Sequence, residues 1–360
     1  MLPYLLLVIV PCLFSFFSFN KKEGIPYKLP VISFFVVWLF ILALRDISIG
    51  TDLVAYGSMF ENYGKQDFID LICFYNSNDN IEFGYTLYCK LVNSITSYFN
   101  MFLAITALIC LVPLFILYYR ESESPLLSII LFLVIAPFPM FFSGLRQAIA
   151  MAFIVPALYY TRQQKIIPFL LTVLIAFQFH MSSLILLLIY PIYHMKLDRK
   201  LLILLLIVGG VIFVFKNTIF LYLLGFAGEK YGERYGEIEE TGAIMTFLLL
   251  LLMLIYSYII PDKQKTDKDL MGLRNILLIA TYIQIFASLN PIVMRMNYYF
   301  LLLVPLLISK VANRPSKSLK HITYISVCVM NVFFIYYYIQ NAYNGADVLN
   351  IYPYKSCFDF

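Results

Sequence analysis

Charged side chains are scarce in this sequence. Only 13% of its 360 residues are Asp, Glu, Lys or Arg, whereas soluble domains carry about 25%. Hydrophobic residues make up 62% of the chain, and the mean hydropathy is +0.83. A soluble core cannot absorb so much apolar sequence, so the composition predicts a polytopic membrane protein. The net charge of +5 does not indicate nucleic-acid binding, because the basic residues lie between apolar runs.

Several motifs of metal and nucleotide chemistry are also missing. The six cysteines contain no C-x-x-C pair, which argues against a zinc site or dithiol redox chemistry. Cys73 and Cys89 share one loop and would form a disulfide only in an oxidising compartment. No Walker A, H-E-x-x-H or G-x-S-x-G motif occurs, and no D-x-D pair lies in the predicted outer segments. We therefore expect lipid-borne substrates, with no metal and no cofactor.

Long apolar runs dominate the sequence, and a membrane-spanning helix needs about 17 to 25 such residues. The runs fall at 3–19, 29–45, 99–119, 125–142, 145–160, 200–216, 243–260, 272–289, 292–309 and 321–340. Segment 166–194 is too long for one helix and connects two basic stretches, so we expect two short helices that meet near FQFHMSS. The prediction is an all-α polytopic membrane protein, one domain over residues 1–360, with about twelve transmembrane helices including this hairpin.

The basic residues give the orientation. The loops on one side hold most of the 26 Lys and Arg residues, and the positive-inside rule places that side in the cytoplasm. Two larger segments then lie on the outer side, at 46–98 and 217–242. The first contains apolar residues at three- and four-residue spacing, which predicts an amphipathic helix along the outer membrane interface. These residues are Ile81, Tyr85, Tyr88, Val92 and Ile95.

Three arginines lie near the same predicted outer boundary, in apolar surroundings where topology does not require them. Arg45 ends the second run, Arg146 follows a Ser-Gly break, and Arg295 follows an Asn-Pro pair. A guanidinium stays charged and can grip a phosphate with two parallel hydrogen bonds. Because a charge at membrane depth is a functional hypothesis by default, we predict that these arginines bind a lipid diphosphate. The alternative is that they pair with local carboxylates or ordinary lipid headgroups.

Three outer-face residues are candidate general bases, in the order Asp52, Glu82 and His180. Each also has a structural interpretation. Asp52 follows a Gly-Thr turn and would cap the next helix, and Glu82 suits the first turn of a helix. His180 lies at the tip of the predicted hairpin, where a lone histidine can simply be packed.

Aromatic side chains near the same boundary are candidate contacts for sugar rings. Tyr56, Tyr85 and Tyr298 could stack on a glycan and supply hydroxyl groups. The alternative is the belt of aromatic residues found at membrane interfaces.

Six segments, taken in order, resemble the EpsG family of Wzy-type polysaccharide polymerases. They are RDISIGTDLVAYGSMFE, IEFGYTLYCKLV, FFSGLRQAIAMAF, FHMSSLILLLIYPIY, RMNYYFLLLVPLL and NIYPYKSCF. The resemblance covers most of the chain. The positions that match the family pattern are Arg45, Gly50, Thr51, Asp52, Tyr56, Glu82, Gly84, Tyr85, Arg146, His180 and Arg295.

The resemblance implies a multi-pass protein of the bacterial inner membrane, similar to polyprenyl-phosphate-dependent glycosyltransferases, with its active site facing the periplasm or exterior. The implied reaction moves a growing glycan from polyprenyl diphosphate to an acceptor sugar hydroxyl, as in capsule, exopolysaccharide or O-antigen synthesis. In that reaction Arg146 and Arg295, with Arg45, would hold the departing diphosphate. The expected partners are the lipid-linked oligosaccharide, membrane lipid, and chain-length regulator and flippase proteins, with no nucleic acid.

Two other functions remain open from the sequence. A flippase for lipid-linked oligosaccharides would be expected to show internal repeats and charges near the bilayer midplane. This sequence has no evident repeat and its charges gather at one face, which favours the enzyme. A membrane O-acyltransferase is a further alternative, since such an enzyme can also use an arginine and a histidine.

Overall fold

Every regular element in the described part of the chain is a helix. The computed structural model describes residues 3–7, 9–10, 13, 28–73, 81–135, 138–227, 244–259, 267–312, 336 and 350–358. The elements are α1 (Lys28–Ala43), α2 (Leu53–Lys65), α3 (Phe68–Cys73), α4 (Phe83–Asn93), α5 (Phe99–Glu121), α6 (Pro125–Ile135), α7 (Met140–Ser143), α8 (Leu145–Ala152), α9 (Ile154–Arg162), α10 (Ile166–Phe177), a 3-10 helix (Met181–Leu188), α11 (Ile189–His194), α12 (Arg199–Val214), α13 (Lys216–Ala227), α14 (Ile244–Ile259), α15 (Lys268–Ala287), α16 (Pro291–Leu301) and α17 (Val304–Ala312).

Two of these helices, α5 and α15, are long and apolar enough to cross a membrane alone. Two bent pairs raise the number to four if each pair is one broken span: Lys200–Val214 with Lys216–Leu223 at 83°, and α16 with α17 at 47°. The second break precedes Pro305, whose ring cannot continue the preceding helix but fits the first turn of a new one. The all-helical membrane architecture is confirmed, whereas the number of about twelve spans is not.

Some predicted segments lie mainly outside the described residues. These are the first and last apolar runs, 3–19 and 321–340, and most of the second outer loop, 217–242. The beginning of that loop is helical, because α13 continues to Ala227.

The predicted helical hairpin over residues 166–194 is confirmed. Helix α10 runs away from the end that carries Arg162, the chain reverses around Gln178 and His180, and the 3-10 helix and α11 return. The return is complete, because His194 Nε2 lies 3.0 Å from the carbonyl oxygen of Thr161, just before α10 begins. Eight residues of 3-10 helix is an unusually long run for this conformation.

The helix predicted in the first outer segment is present as α4, and most of its predicted apolar stripe is buried against other helices. Tyr85, Tyr88 and Val92 are buried. The Tyr88 ring packs against Phe102 of α5 and Phe179 of the hairpin turn. These three residues of the stripe pack against protein, whereas Ile95, just after α4, is 79% exposed, so the interfacial position of the helix stays a prediction.

Two glycines allow the outer segment to sit close to its neighbours. Gly50 has φ +112°, and a Cβ there would lie 2.3 Å from the carbonyl oxygen of Phe142. A Cβ on Gly84 would lie 2.6 Å from the carbonyl oxygen of Gln178. Any larger residue would push the outer segment away from α7 and from the hairpin turn.

Segment 350–358 holds the beginning of the outer segment by main-chain hydrogen bonds. Gly50 N donates to the Asn350 carbonyl at 2.9 Å, and Asp46 N donates to the Lys355 carbonyl at 3.0 Å. Cys357 N donates to the Leu44 carbonyl at 2.8 Å. The loop between α1 and α2 is thus fixed from both sides, by α7 and by this segment.

Charged side chains collect at the end of the helices that the sequence assigns to the cytoplasm. Arg162 bonds to Asp269 and to Glu121, at 2.7 Å each. Lys310 lies 2.7 Å from the other oxygen of Asp269, and the Tyr193 hydroxyl donates to Asp269 at 2.6 Å. We call these five residues the inner-end network. It joins α5, α9, α11, α15 and α17.

Candidate active site

A second charged cluster lies at the other end of the helices and is centred on Glu82. Arg146 Nη1 donates to Glu82 Oε2 at 2.6 Å. The other oxygen, Oε1, accepts from the Met181 backbone N–H at 2.9 Å and lies 3.0 Å from His180 Nδ1. The side chains of Arg146, Glu82 and His180 are 20%, 16% and 24% exposed. The cluster is therefore shielded but still open to solvent at one edge.

Each member of this cluster comes from a different part of the chain, and each lies at a helix end. Glu82 precedes α4, in extended backbone, and its carboxylate does not cap that helix. Arg146 is in the first turn of α8, directly after the break at Gly144. His180 lies in the hairpin turn, in extended backbone before the 3-10 helix. The close contacts at Gly84 and Gly50 bring these ends together.

The Glu82 carboxylate is held in its ionised form. Burial alone would raise its pKa, but the hydrogen bond from His180, the charge of Arg146 and the Met181 N–H outweigh burial and lower the pKa below 4.5. An ionised carboxylate only accepts hydrogen bonds. His180 Nδ1 must then carry the hydrogen that it shares with Glu82, and in the neutral ring Nε2 is left as an acceptor. Among the three predicted bases, this geometry favours His180 over Glu82.

Tyr56 supports the arginine. Its side chain is buried, and its hydroxyl is hydrogen-bonded to Arg146. Since a guanidinium can only donate, the Tyr56 oxygen accepts that bond. Burial raises the pKa of Tyr56, and the nearby charge of Arg146 opposes the rise only in part. Tyr56 is therefore neutral at physiological pH and braces Arg146 rather than stacking on a sugar.

Asp52 lies beside this cluster. It occupies the N-cap position of α2, but its carboxylate makes no capping hydrogen bond, so the predicted capping role is not observed. Its backbone N–H donates to Ser143 Oγ at 3.2 Å, which places the residue against α7. The negative charge of Asp52 acts on the Tyr56 hydroxyl. Asp52 thus contributes a second, half-exposed carboxylate near Arg146.

Arg295 reaches the same region on α16. Gln147 Nε2 donates to the Arg295 carbonyl oxygen at 2.6 Å, and the Tyr299 hydroxyl lies 3.0 Å from Ser182 Oγ in the 3-10 helix. The charges of Glu82 and Arg295 both act on the Tyr299 hydroxyl. The Arg295 side chain is exposed and makes no hydrogen bond or ion pair within the described ranges. It is therefore a cation at the rim of the cluster.

Arg45 does not join the other two arginines. Its Nη1 donates to the Leu42 carbonyl at 2.6 Å and its Nη2 to the Phe142 carbonyl at 3.4 Å, and the side chain is 2% exposed. The cavity that it lines has a volume of about 10 Å³, which holds at most a water molecule. The predicted diphosphate contact of Arg45 does not fit this geometry. The guanidinium instead satisfies the Leu42 carbonyl at the end of α1 and the Phe142 carbonyl at the end of α7, where a helix leaves its last carbonyls without partners.

Of the predicted sugar-stacking tyrosines, Tyr85 is the one whose position excludes that role, and the role of Tyr298 stays a prediction. Tyr85 is fully buried beneath Tyr56, with the two ring centroids 5.6 Å apart, so no sugar can reach it. Tyr298 is half-buried on α16. Cys89 is a buried thiol that forms no disulfide within the part of the chain that the structure describes.

The residues that sequence reasoning missed are polar neighbours of those it found. Gln147 follows Arg146, Ser182 follows His180 by two positions, and Tyr299 lies one turn after Arg295. Their only signal in the sequence is that each is a polar side chain next to a candidate residue in an apolar helix.

The fold and the cluster define an all-helical membrane protein that carries a shielded cluster of an arginine, a carboxylate and a histidine at one end of its helices. A family model described as the EpsG family matches residues 27–356, and this range includes every residue of the cluster. The chain belongs to the EpsG family, a family of Wzy-type polysaccharide polymerase-like proteins. No curated protein and no solved structure matches the chain.

Proposed function

We propose that this protein is a polysaccharide polymerase acting at the outer face of the bacterial inner membrane. It transfers a growing glycan from polyprenyl diphosphate to a sugar hydroxyl of a second lipid-linked unit. The observation that carries the proposal is the contact of one carboxylate, Glu82, with an arginine and a histidine from two other segments. A cation to hold a leaving diphosphate and a base to take a proton are the two groups that this reaction requires.

The diphosphate is assigned to Arg146 and Arg295. A guanidinium carries five N–H donors in a fixed plane, so Arg146 has the capacity to hold Glu82, Tyr56 and a phosphate oxygen together. Arg295 lies at the exposed rim of the cluster and would reach the same diphosphate from α16. Negative charge grows on the departing diphosphate as its bond to the sugar breaks, and cations already in place lower that barrier.

The proton is assigned to His180. In the reaction, the acceptor oxygen bonds to the anomeric carbon while the bond from that carbon to the diphosphate oxygen breaks. The bonding electrons leave with the diphosphate, and the hydroxyl proton passes to His180 Nε2. Glu82 holds Nδ1–H, fixes the ring orientation and stabilises the imidazolium that forms, so Glu82 acts through His180.

The membrane face on which the cluster lies is inferred from the distribution of basic residues. The cluster lies at the helix ends that the positive-inside rule assigns to the exterior, and the inner-end network lies at the opposite ends. An outward-facing site suits substrates that have already crossed the membrane, and chain-length regulator and flippase proteins are the expected partners.

The proposal is tested by the surface polysaccharide of a deletion strain complemented with the wild-type chain or with Arg146→Lys. Lysine keeps the charge but loses the planar fork, so we expect only lipid capped with a single repeat unit. A normal ladder of chain lengths in the variant would disprove the arginine assignment. Units trapped inside the deletion strain would indicate a flippase, and an unchanged chain length would indicate an acyltransferase.

A further inference from the structure

Gln147 makes a contact that links the two arginine-bearing helices. It directly follows Arg146 on α8, and its side-chain amide Nε2 donates to the backbone carbonyl of Arg295 on α16 at 2.6 Å. The side chain is 1% exposed, so water does not compete for this bond. The contact therefore joins the residue next to one guanidinium to the backbone of the residue that carries the other.

We propose that Gln147 is a positioning residue that sets the separation of the backbone positions that carry Arg146 and Arg295, and that this separation lets the two arginines select a diphosphate over a monophosphate. The inference rests on the proposed function, since it assigns both arginines to the lipid headgroup. Two arginines on helices held at one separation can each take one phosphoryl group of a diphosphate, whereas a monophosphate satisfies only one of them.

The orientation of the Gln147 amide supports a linking role. A backbone carbonyl can only accept, so the NH₂ group must face Arg295, and the side-chain oxygen Oε1 is then buried without a hydrogen-bond partner among the described residues. An unpaired buried acceptor is unfavourable. A leucine or methionine would fill this position without that penalty, so packing alone does not explain a glutamine here.

The rest of α16 is held in a way that makes the Gln147 contact effective. Asn297 Nδ2 donates to the Ala280 carbonyl at 2.9 Å and to Gln284 Oε1 at 2.8 Å, both on α15. Tyr299 bonds to Ser182 of the 3-10 helix. These contacts fix the helix on its other sides. The bond from Gln147 reaches the backbone of Arg295 itself and ties it to α8.

The experiment uses the purified full chain in lipid nanodiscs and measures the Kd for farnesyl diphosphate and for farnesyl monophosphate. In the wild type we expect the diphosphate to bind about tenfold tighter or more, the effect of one further charge-assisted hydrogen bond. Gln147→Met has nearly the same shape but no donor and no charge. We expect it to lower the ratio of the two Kd values to about one, chiefly by weakening diphosphate binding.

A matched control is available at the other end of the helices. Asn275 is also a buried amide, and it donates to the backbone carbonyls of Ile192 and Met195 at 3.0 and 2.7 Å. Asn275→Leu removes the same kind of bond far from the arginines and should leave the Kd ratio at the wild-type value. If Asn275→Leu lowers the ratio as much as Gln147→Met does, the effect is general loosening and the inference is wrong.

The remaining outcomes separate the inference from the proposed function. If Arg146→Lys and Arg295→Lys leave diphosphate binding unchanged, the proposed function itself fails. If they weaken it while Gln147→Met keeps the wild-type ratio, only the inference is overturned. Should Gln147→Met not fold, Gln147→Asn replaces it, because its amide is one methylene too short to reach. A wild-type ratio in that variant would equally overturn the inference.

Discussion

Replacing Glu82 by glutamine removes the charge around which the cluster is built while keeping the size of the side chain. The carboxylate accepts from Arg146, His180 and the Met181 N–H through two oxygens. Glutamine has a single oxygen, and its NH₂ group would face another donor. At least two charge-assisted bonds are therefore lost.

The expected magnitude follows from these bonds and their surroundings. A hydrogen bond to a charged group contributes about 1.5 to 3 kcal/mol, and the side chains of Glu82 and Arg146 remain 16% and 20% exposed, so the lower part of that range applies. We expect Glu82→Gln to lower the free energy of unfolding by about 2 to 3 kcal/mol. Loss of the group that orients the base should reduce the turnover number about 100-fold.

Two assays measure these effects, and one matched control separates them from charge loss in general. Thermal unfolding of the purified protein gives the stability change, and the length of the surface polysaccharide reports the turnover. Glu61→Gln makes the same substitution in the exposed Lys65 pair, where the side chains are 77% and 69% exposed. That variant should behave like the wild type. If Glu82→Gln is no less stable and no less active than Glu61→Gln, the central role of Glu82 is refuted.

Four further predictions test separate parts of the structure. Gly50→Ala should destabilise the protein by about 2 kcal/mol or more and shorten the polymer. Gly225→Ala, whose added methyl group meets open space, should do neither, and equal melting temperatures for the two variants would contradict this. Arg45→Met should lower stability by about 1 to 3 kcal/mol through two orphaned carbonyls but leave the affinity for farnesyl diphosphate unchanged in a binding titration. His180→Asn keeps a donor for Glu82 but lacks Nε2, so it should fold normally by circular dichroism and lose activity at least about 100-fold. Because the pKa of Glu82 is lowered in the folded protein, its contribution to stability should be complete above about pH 4.5 and be lost as the pH falls through the lowered value. Melting temperatures measured over a pH series should show this loss in the wild type and not in Glu82→Gln.

The sequence carries enough information to group the helix ends correctly. Apolar runs of spanning length, read together with the basic loops, predict that the ends bearing Glu82, Arg146 and His180 share one face, and the structure brings them into contact. The hairpin over 166–194 is predictable for the same reason, since one helix would separate two basic stretches. The periodicity of apolar residues and the position of charges determine this level of organisation.

The partners of individual side chains could not be predicted in this way. Most of the apolar stripe predicted for α4 packs against protein, and no periodicity distinguishes protein from lipid because both are apolar. The fork of Arg45 fits two carbonyl groups as well as it would fit a phosphate, so its residue type does not reveal the partner. Gln147 becomes informative only when α8 and α16 lie side by side, which is a tertiary contact.

The inner-end network has a consequence for how a long lipid could reach the cluster. Five helices are bound to one another there through Asp269, Arg162 and Lys310, so these ends have little freedom to separate. On the proposed function, the headgroup of a prenyl chain held in the bilayer passes sideways between helices to reach the cluster. On that proposal, the opening forms at the helix ends that carry Arg146, while the ends joined by Asp269, Arg162 and Lys310 stay together.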